Sequence, residues 1–186
     1  MKGSFTAPIS TIKNYNTDSN LIIGLIIMTV CSLAAGLFVY CLINSATDLF
    51  VGLLTSLMSF KGEFVSLFFR TFFFVAVYFI TLAGMITCMV KVFFKVDASF
   101  KKVITAIGLS SVIMTCAFIL GAISAYIKIT IGLLFLIAGI VFSILYLGGA
   151  VRESLNVSKD KVAYTLVPSI AVALFVMMYI LPKIFL

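Results

Sequence analysis

The fold of this chain is organised around residues 91–102, which read Lys91-Val92-Phe93-Phe94-Lys95-Val96-Asp97-Ala98-Ser99-Phe100-Lys101-Lys102. Four lysines fall within this segment, which we name the first elbow, and long apolar stretches run away from it in both directions. The pattern predicts that one membrane-spanning helix ends here in water and that the next one begins near Phe100. Asp97 or Ser99 is the expected N-cap of that second helix.

The composition of the whole chain supports this interpretation. The 186 residues are 63% hydrophobic and 10% charged, with a mean hydropathy of +1.30. A soluble domain carries about 25% charged residues. We therefore expect an all-α, polytopic membrane protein, built as a bundle of five transmembrane helices with short interfacial amphipathic helices.

Apolar runs predict where the spans lie, because about 20 apolar residues cross the hydrocarbon core of a bilayer. The five predicted spans cover about residues 21–43, 68–92, 103–126, 131–149 and 162–181. They form a single membrane domain over 21–186. Residues 1–20 precede it as a cytoplasmic or interfacial segment, either a helix on the membrane surface or a disordered tail.

One connection between spans carries a pattern of its own. Ser45-Ala46-Thr47-Asp48 has the form of a capping box, which predicts that a new helix starts here. The segment 48–60 is amphipathic and too short to span the bilayer. We expect it to lie in the interface as a lid, with a re-entrant segment as the alternative.

The distribution of positive charge predicts an orientation. Five spans place nine Lys and Arg residues on the side of the N-terminus and four on the other. By the positive-inside rule the N-terminus is cytoplasmic and the C-terminus outside. The Ile-, Phe- and Lys-rich usage is typical of a bacterial cell membrane protein. We attribute the net charge of +7 to topology and anionic lipids, and expect no nucleic-acid partner.

Catalytic and metal-binding patterns are missing from the sequence. The chain has no histidine, and no aspartate or glutamate falls within a predicted span. The four cysteines (Cys31, Cys41, Cys88 and Cys116) match no metal or redox spacing and are interpreted as free thiols. We therefore expect no enzymatic activity, no cofactor and no metal.

A few polar residues within the spans form a candidate intramembrane polar site, made of Arg70, Ser110, Ser111 and Thr115. The alternative for Arg70 is that its long side chain reaches the headgroups. The alternative for the hydroxyls is that they bond to backbone or bridge helices. Both alternatives stay open at the level of sequence.

Small residues at four-residue spacing predict close helix packing. The stripes are Ser32 and Gly36 in the first span, Ala117, Gly121 and Ala125 in the third, and Gly139 and Ser143 in the fourth. Such stripes serve packing within one bundle or self-association equally well.

The clustered basic residues predict a binding face on the cytoplasmic side. Its members are Lys91, Lys95, Lys101, Lys102, Arg152, Lys159 and Lys161. We expect a scaffold or adaptor that binds an unidentified protein partner or anionic lipid there. The alternative function is binding or transport of a small molecule or lipid, with the lid at 48–60 and the aromatic second span as a lateral gate.

Three stretches carry a resemblance to a known family. They are Phe5-Thr6-Ala7-Pro8-Ile9-Ser10-Thr11-Ile12, the run from Ala98 to Ser111 and the run from Arg152 to Val162. With five spans and an inside N-terminus, the chain resembles the Yip domain family of Rab-GTPase-interacting membrane proteins, in particular its bacterial branch. The resemblance implies non-enzymatic adaptor work. Of the acidic-Leu-Tyr-Gly-Pro element of eukaryotic members this chain keeps only Pro8, so Rab binding is not carried over.

Overall fold

Five long helices follow one another in the part of the chain that the structure describes. The computed structural model describes residues 21–50, 64–96 and 98–180. The helices are α1 (Leu21–Phe50), α2 (Phe64–Phe94), α3 (Phe100–Ile127), α4 (Ile129–Leu155) and α5 (Lys159–Phe175), and a π-helical turn, Val176–Ile180, follows α5. Each of the five is long and apolar enough to cross a membrane. The predicted all-α, five-span fold is therefore confirmed for the described residues. The expected interfacial segment at 1–20, and residues 51–60 of the expected lid, lie outside them.

The predicted helix start at Ser45 is wrong. Helix α1 continues through Ser45-Ala46-Thr47-Asp48 without a break and ends at Phe50. A capping box stabilises the first turn of a helix only where the preceding backbone has left the helical conformation. No proline or glycine interrupts residues 37–51, so the chain keeps its i→i−4 hydrogen bonds through the motif.

Helix α3 is the most buried of the five and packs most extensively against α4 and α1. α1 and α3 run parallel. Near their starts the backbone of Gly24 touches Thr105 and Gly108, and near their ends the Cys41 thiol lies 3.7 Å from the Tyr126 hydroxyl. A Cβ added to Gly108 would lie 2.5 Å from the Cα of Gly24, so only glycine permits this approach.

Helices α3 and α4 form an antiparallel hairpin around a turn at Lys128. An added Cβ on Gly132 would lie 2.8 Å from the carbonyl oxygen of Gly121 and 3.1 Å from the Cβ of Ala125. A Cβ on Gly139 would overlap that of Ala117. The small residues singled out in α3 thus face small residues of α4, which lets the two backbones approach closely.

The first-span stripe has a different neighbour. An added Cβ on Gly36 would lie 2.8 Å from the ring of Phe68, so this glycine provides space for α2. Ser32 is fully buried, and its hydroxyl donates to the carbonyl of Met28 at 2.9 Å. Ser143 of α4 is half-buried.

Candidate functional site: the basic end of the bundle

The alternation of helix directions gathers five helix ends at one end of the bundle. The starts of α1 and α3 meet at Gly24 and Gly108, and the end of α2 meets the start of α5 through Phe94 and Lys161. The end of α4 joins them, because only residues 156–158 separate it from α5. We name this region the basic end and the other the opposite end.

The first elbow leaves α2 through a left-handed residue. Lys95 has φ 51°, and the N–H of Val96 bonds back to the carbonyl of Val90 at 3.4 Å. Ala98 is then fully buried. Ser99 is the N-cap of α3, as one of the two predicted candidates, although its hydroxyl makes no capping hydrogen bond.

Residues 152–161, which we name the second elbow, repeat this geometry. Asn156 has φ 50°, and the N–H groups of Asn156 and Val157 both donate to the carbonyl of Arg152. Bonds of this kind satisfy the last carbonyls of a helix. Val157 then turns inward and is 4% exposed. Each elbow thus contains a residue of positive φ followed by a valine, which is half-buried at Val96 and buried at Val157.

The two elbows are packed against each other. Ala98 of the first elbow and Leu155 and Val157 of the second belong to one buried cluster, together with the neighbouring Val103 and Val162. On the surface, the Nζ atom of Lys161 lies 5.3 Å from the centre of the Phe94 ring. A cation at this distance from a ring face is attracted by the ring's quadrupole. The structure therefore joins two segments that lie about sixty residues apart in sequence into one surface.

This surface is strongly positive. The two elbows hold seven cations and three carboxylates, a net charge of +4. Lys91, Lys95, Lys101, Arg152 and Lys161 are exposed, and Lys102 is half-buried. The side chain of Lys159 lies outside the described part of the molecule. The starts of α1, α3 and α5 also point to this end, and the N–H groups of a first helical turn carry partial positive charge. The arrangement attracts anions.

The intramembrane polar residues are arranged differently. The hydroxyls of Ser110, Ser111 and Thr115 donate to carbonyls of their own helix, those of Ile107, Gly108 and Ser111, at 2.7–2.8 Å. Arg70 is exposed on α2. Arg70 lies about 20 Å farther from the basic end than Ser111 does. The reason is that each helical residue rises 1.5 Å, and Arg70 is 24 residues from the end of α2 whereas Ser111 is 11 residues from the start of α3. The structure does not bring Arg70 to the three hydroxyls.

Two residues of the basic end are not among the binding residues that the sequence predicts. Phe94 falls within the first elbow, and Val157 falls within the polar connection between the fourth and fifth predicted spans. The available signal is Asn156, because asparagine is one of the residues that adopt positive φ at the end of a helix, whereas Lys95 carries no such signal. That Val96 packs against the cluster that contains Val157 is visible only in three dimensions.

Nearly the whole chain matches one known protein family. The family model described as "Yip1 domain" matches residues 2–180. A search of curated proteins found no match, and neither did a search of solved structures. The match covers nearly the whole chain, and the five apolar helices lie within it. The chain is thus an integral membrane protein that belongs to the Yip1 domain family.

Proposed function

We propose that this protein is a non-enzymatic membrane scaffold whose basic end binds an anionic partner, either an acidic segment of another protein or the headgroups of anionic lipids. The observation that carries the proposal is the contact of Lys161 with Phe94, which makes one continuous surface of the two elbows. A single surface presents its cations together, whereas two separate loops would present three or four each.

The chemistry of the described helices supports a binding role. Aspartate and glutamate occur there only near helix ends, and the chain has no histidine. General acid–base catalysis needs such groups at the reacting atoms. The hydroxyls of Ser110, Ser111 and Thr115 are engaged with backbone carbonyls, so none is activated by a neighbouring base.

Orientation follows from the same charges. We place the basic end in the cytoplasm of a bacterial cell and the opposite end outside, because positively charged loops stay on the cytoplasmic side of a membrane. Anionic lipid headgroups of the inner leaflet are then within reach of the elbows, and each lysine near such a surface contributes about 1 kcal/mol of attraction.

The test compares an elbow variant with a control variant. Lys95→Gln, Lys101→Gln and Lys102→Gln together remove three charges from the first elbow, and the control, Arg70→Gln, removes an exposed charge that lies outside both elbows. Each protein is cross-linked in native membranes, purified and analysed for co-purifying polypeptides by quantitative mass spectrometry. Binding of phosphatidylglycerol against phosphatidylcholine is measured on the same preparations.

We expect the elbow variant to lose anionic ligand by about tenfold or more, since three lysines near a charged surface are worth about 3 kcal/mol at most. Loss of a polypeptide identifies a protein partner, and loss of phosphatidylglycerol alone identifies the lipid surface. In either case binding weakens at high salt, because exposed charges are screened within about 8 Å at physiological ionic strength. Equal binding by wild type and both variants would refute the proposal.

A further inference from the structure

A groove of about 410 Å³ opens on the bundle surface between α1 and α3, toward the opposite end. Two alanines, Ala34 and Ala122, form its floor, and Ala34 is only 6% exposed. Leu37, Ile119 and Ile123 form the rim, with exposures between 48% and 59%. The groove is thus apolar and directed outward, toward the bilayer.

The groove arises from the way that α1 and α3 separate. The two backbones touch at Gly24 and Gly108. Farther along, Phe38 of α1 lies between the helices on the inner side, with its ring 5.7 Å from that of Phe118 and against Gly121. A phenylalanine on the inner side and alanines on the outer side leave an unfilled channel along the outer surface.

Among the residues that line the groove, Cys41 and Tyr126 carry polar groups, and both lie toward its end nearest the turn between α3 and α4. The Cys41 thiol donates to the Tyr126 hydroxyl at 3.7 Å, which leaves the hydroxyl's own proton to donate to a ligand. Tyr126 is 62% exposed, and tyrosines are typical of the headgroup level of a bilayer. Two residues later Lys128, at the turn between α3 and α4, presents an exposed cation.

We propose that this groove binds one anionic phospholipid, with an acyl chain along α1 from Ala34 to Cys41 and the phosphate at Tyr126 and Lys128. The seven-residue rise from Ala34 to Cys41 is about 10 Å, enough for a substantial part of one chain. An unfilled groove would forfeit dispersion contacts that a flexible chain restores. The charge of Lys128 complements the phosphate, whereas an uncharged amphiphile would leave it unmatched.

The first test fills the groove. Ala122→Leu places a branched side chain on its floor, and Ala138→Leu makes the same change on the exposed surface of α4. Wild type and variants are reconstituted in phosphatidylcholine vesicles containing phosphatidylglycerol and re-extracted in mild detergent. Bound phosphatidylglycerol is then counted by native mass spectrometry, together with the melting temperature of each protein.

Wild type and Ala138→Leu should retain equal amounts of phosphatidylglycerol. Ala122→Leu should lack one molecule per chain, because its groove binds about tenfold less tightly, as for a loss of 1.4 kcal/mol. Lys128→Gln should weaken binding in the groove about fivefold, since a lysine near a charged surface is worth about 1 kcal/mol. Arg70→Gln, which removes an exposed cation from α2, should leave retention unchanged. Equal retention by Ala122→Leu and Ala138→Leu overturns the proposal, and so does a dimer without lipid that Ala122→Leu dissociates.

The second test uses the wild-type chain, so it does not depend on a variant that folds. Phosphatidylglycerol with a photoreactive group in its acyl chain is cross-linked in vesicles, and the labelled peptides are mapped. Labels concentrated at residues 34–41 and 119–126 support the groove. Labels spread equally over the exposed surface of α4 show ordinary surrounding lipid and overturn the proposal. The first test compares Ala122→Leu with Ala138→Leu, which share an intact basic end, and the second test maps labels to residues 34–41 and 119–126. Phosphatidylglycerol bound at the basic end therefore alters neither comparison, and the outcome is independent of the proposed role of that end.

Discussion

At the scale of single residues, two glycines set how closely α1 and α3 approach. Gly24 and Gly108 touch through their backbones, and a Cβ on Gly108 would lie 2.5 Å from both the Cα and the carbonyl oxygen of Gly24. Because a backbone cannot move aside as the end of a side chain can, any larger residue must push the helices apart.

Gly108→Ala should therefore destabilise the protein. Overpacking costs about 1–3 kcal/mol, and the better helix propensity of alanine offsets up to about 1 kcal/mol of this. We expect the free energy of unfolding in mixed detergent micelles to fall by about 1–2 kcal/mol. Gly84→Ala is the control, because nothing lies within 4 Å of an added Cβ there. If both variants unfold at the same denaturant concentration, the contact does not limit the packing.

At the scale of elements, the decisive contact joins the end of α2 to the start of α5. Lys161 lies over the Phe94 ring, and the buried Ala98 and Val157, one from each elbow, belong to one apolar cluster. This contact turns two local connections into the basic end. The interaction energy between Lys161 and Phe94 can be measured by replacing each side chain singly and both together.

A double-mutant cycle with Phe94→Leu and Lys161→Gln should give a coupling free energy of about 0.5–1 kcal/mol, the range for exposed cation–π pairs. The neighbouring Phe93, 67% exposed, supplies the control, and the cycle of Phe93→Leu with Lys161→Gln should give a value near zero. Chemical unfolding of the four proteins in each cycle provides the numbers. Equal coupling in the two cycles would mean that Lys161 acts through general charge and not through the ring of Phe94.

At the scale of the whole molecule, the asymmetry of charge predicts the orientation in the membrane. Lys102→Cys and Lys128→Cys, each in a chain whose four native cysteines are replaced, place a thiol at the basic end or at the turn between α3 and α4. A membrane-impermeant maleimide should label Cys only in the Lys128 variant of intact cells, and both variants after permeabilisation. The physical reason is that lysine-rich loops are retained in the cytoplasm. The reverse pattern would place the basic end outside.

The number and character of the helices followed from the sequence by itself. Backbone polar groups must be bonded internally within a bilayer, so each long apolar run has to form a helix. The information is local, and the five helices accordingly lie where the apolar runs are. The basic residues that flank those runs likewise predict two charged connections, at 91–102 and 152–161. The capping box shows the limit of local patterns. Ser45-Ala46-Thr47-Asp48 caps a helix only where a helix starts, and α1 begins earlier, at Leu21, and continues through the motif.

Only the tertiary structure decided which helices meet. The parallel contact of Gly24 with Gly108, the joining of the elbows through Phe94 and Lys161, and the groove beside Tyr126 all bring together residues far apart in the chain. In a bilayer every apolar surface has lipid as an equally apolar alternative, so the hydrophobic pattern does not select partners. Close packing of small residues and a few polar contacts determine which helices associate. These interactions form only when the helices lie side by side, so the pattern within one helix does not reveal its partner.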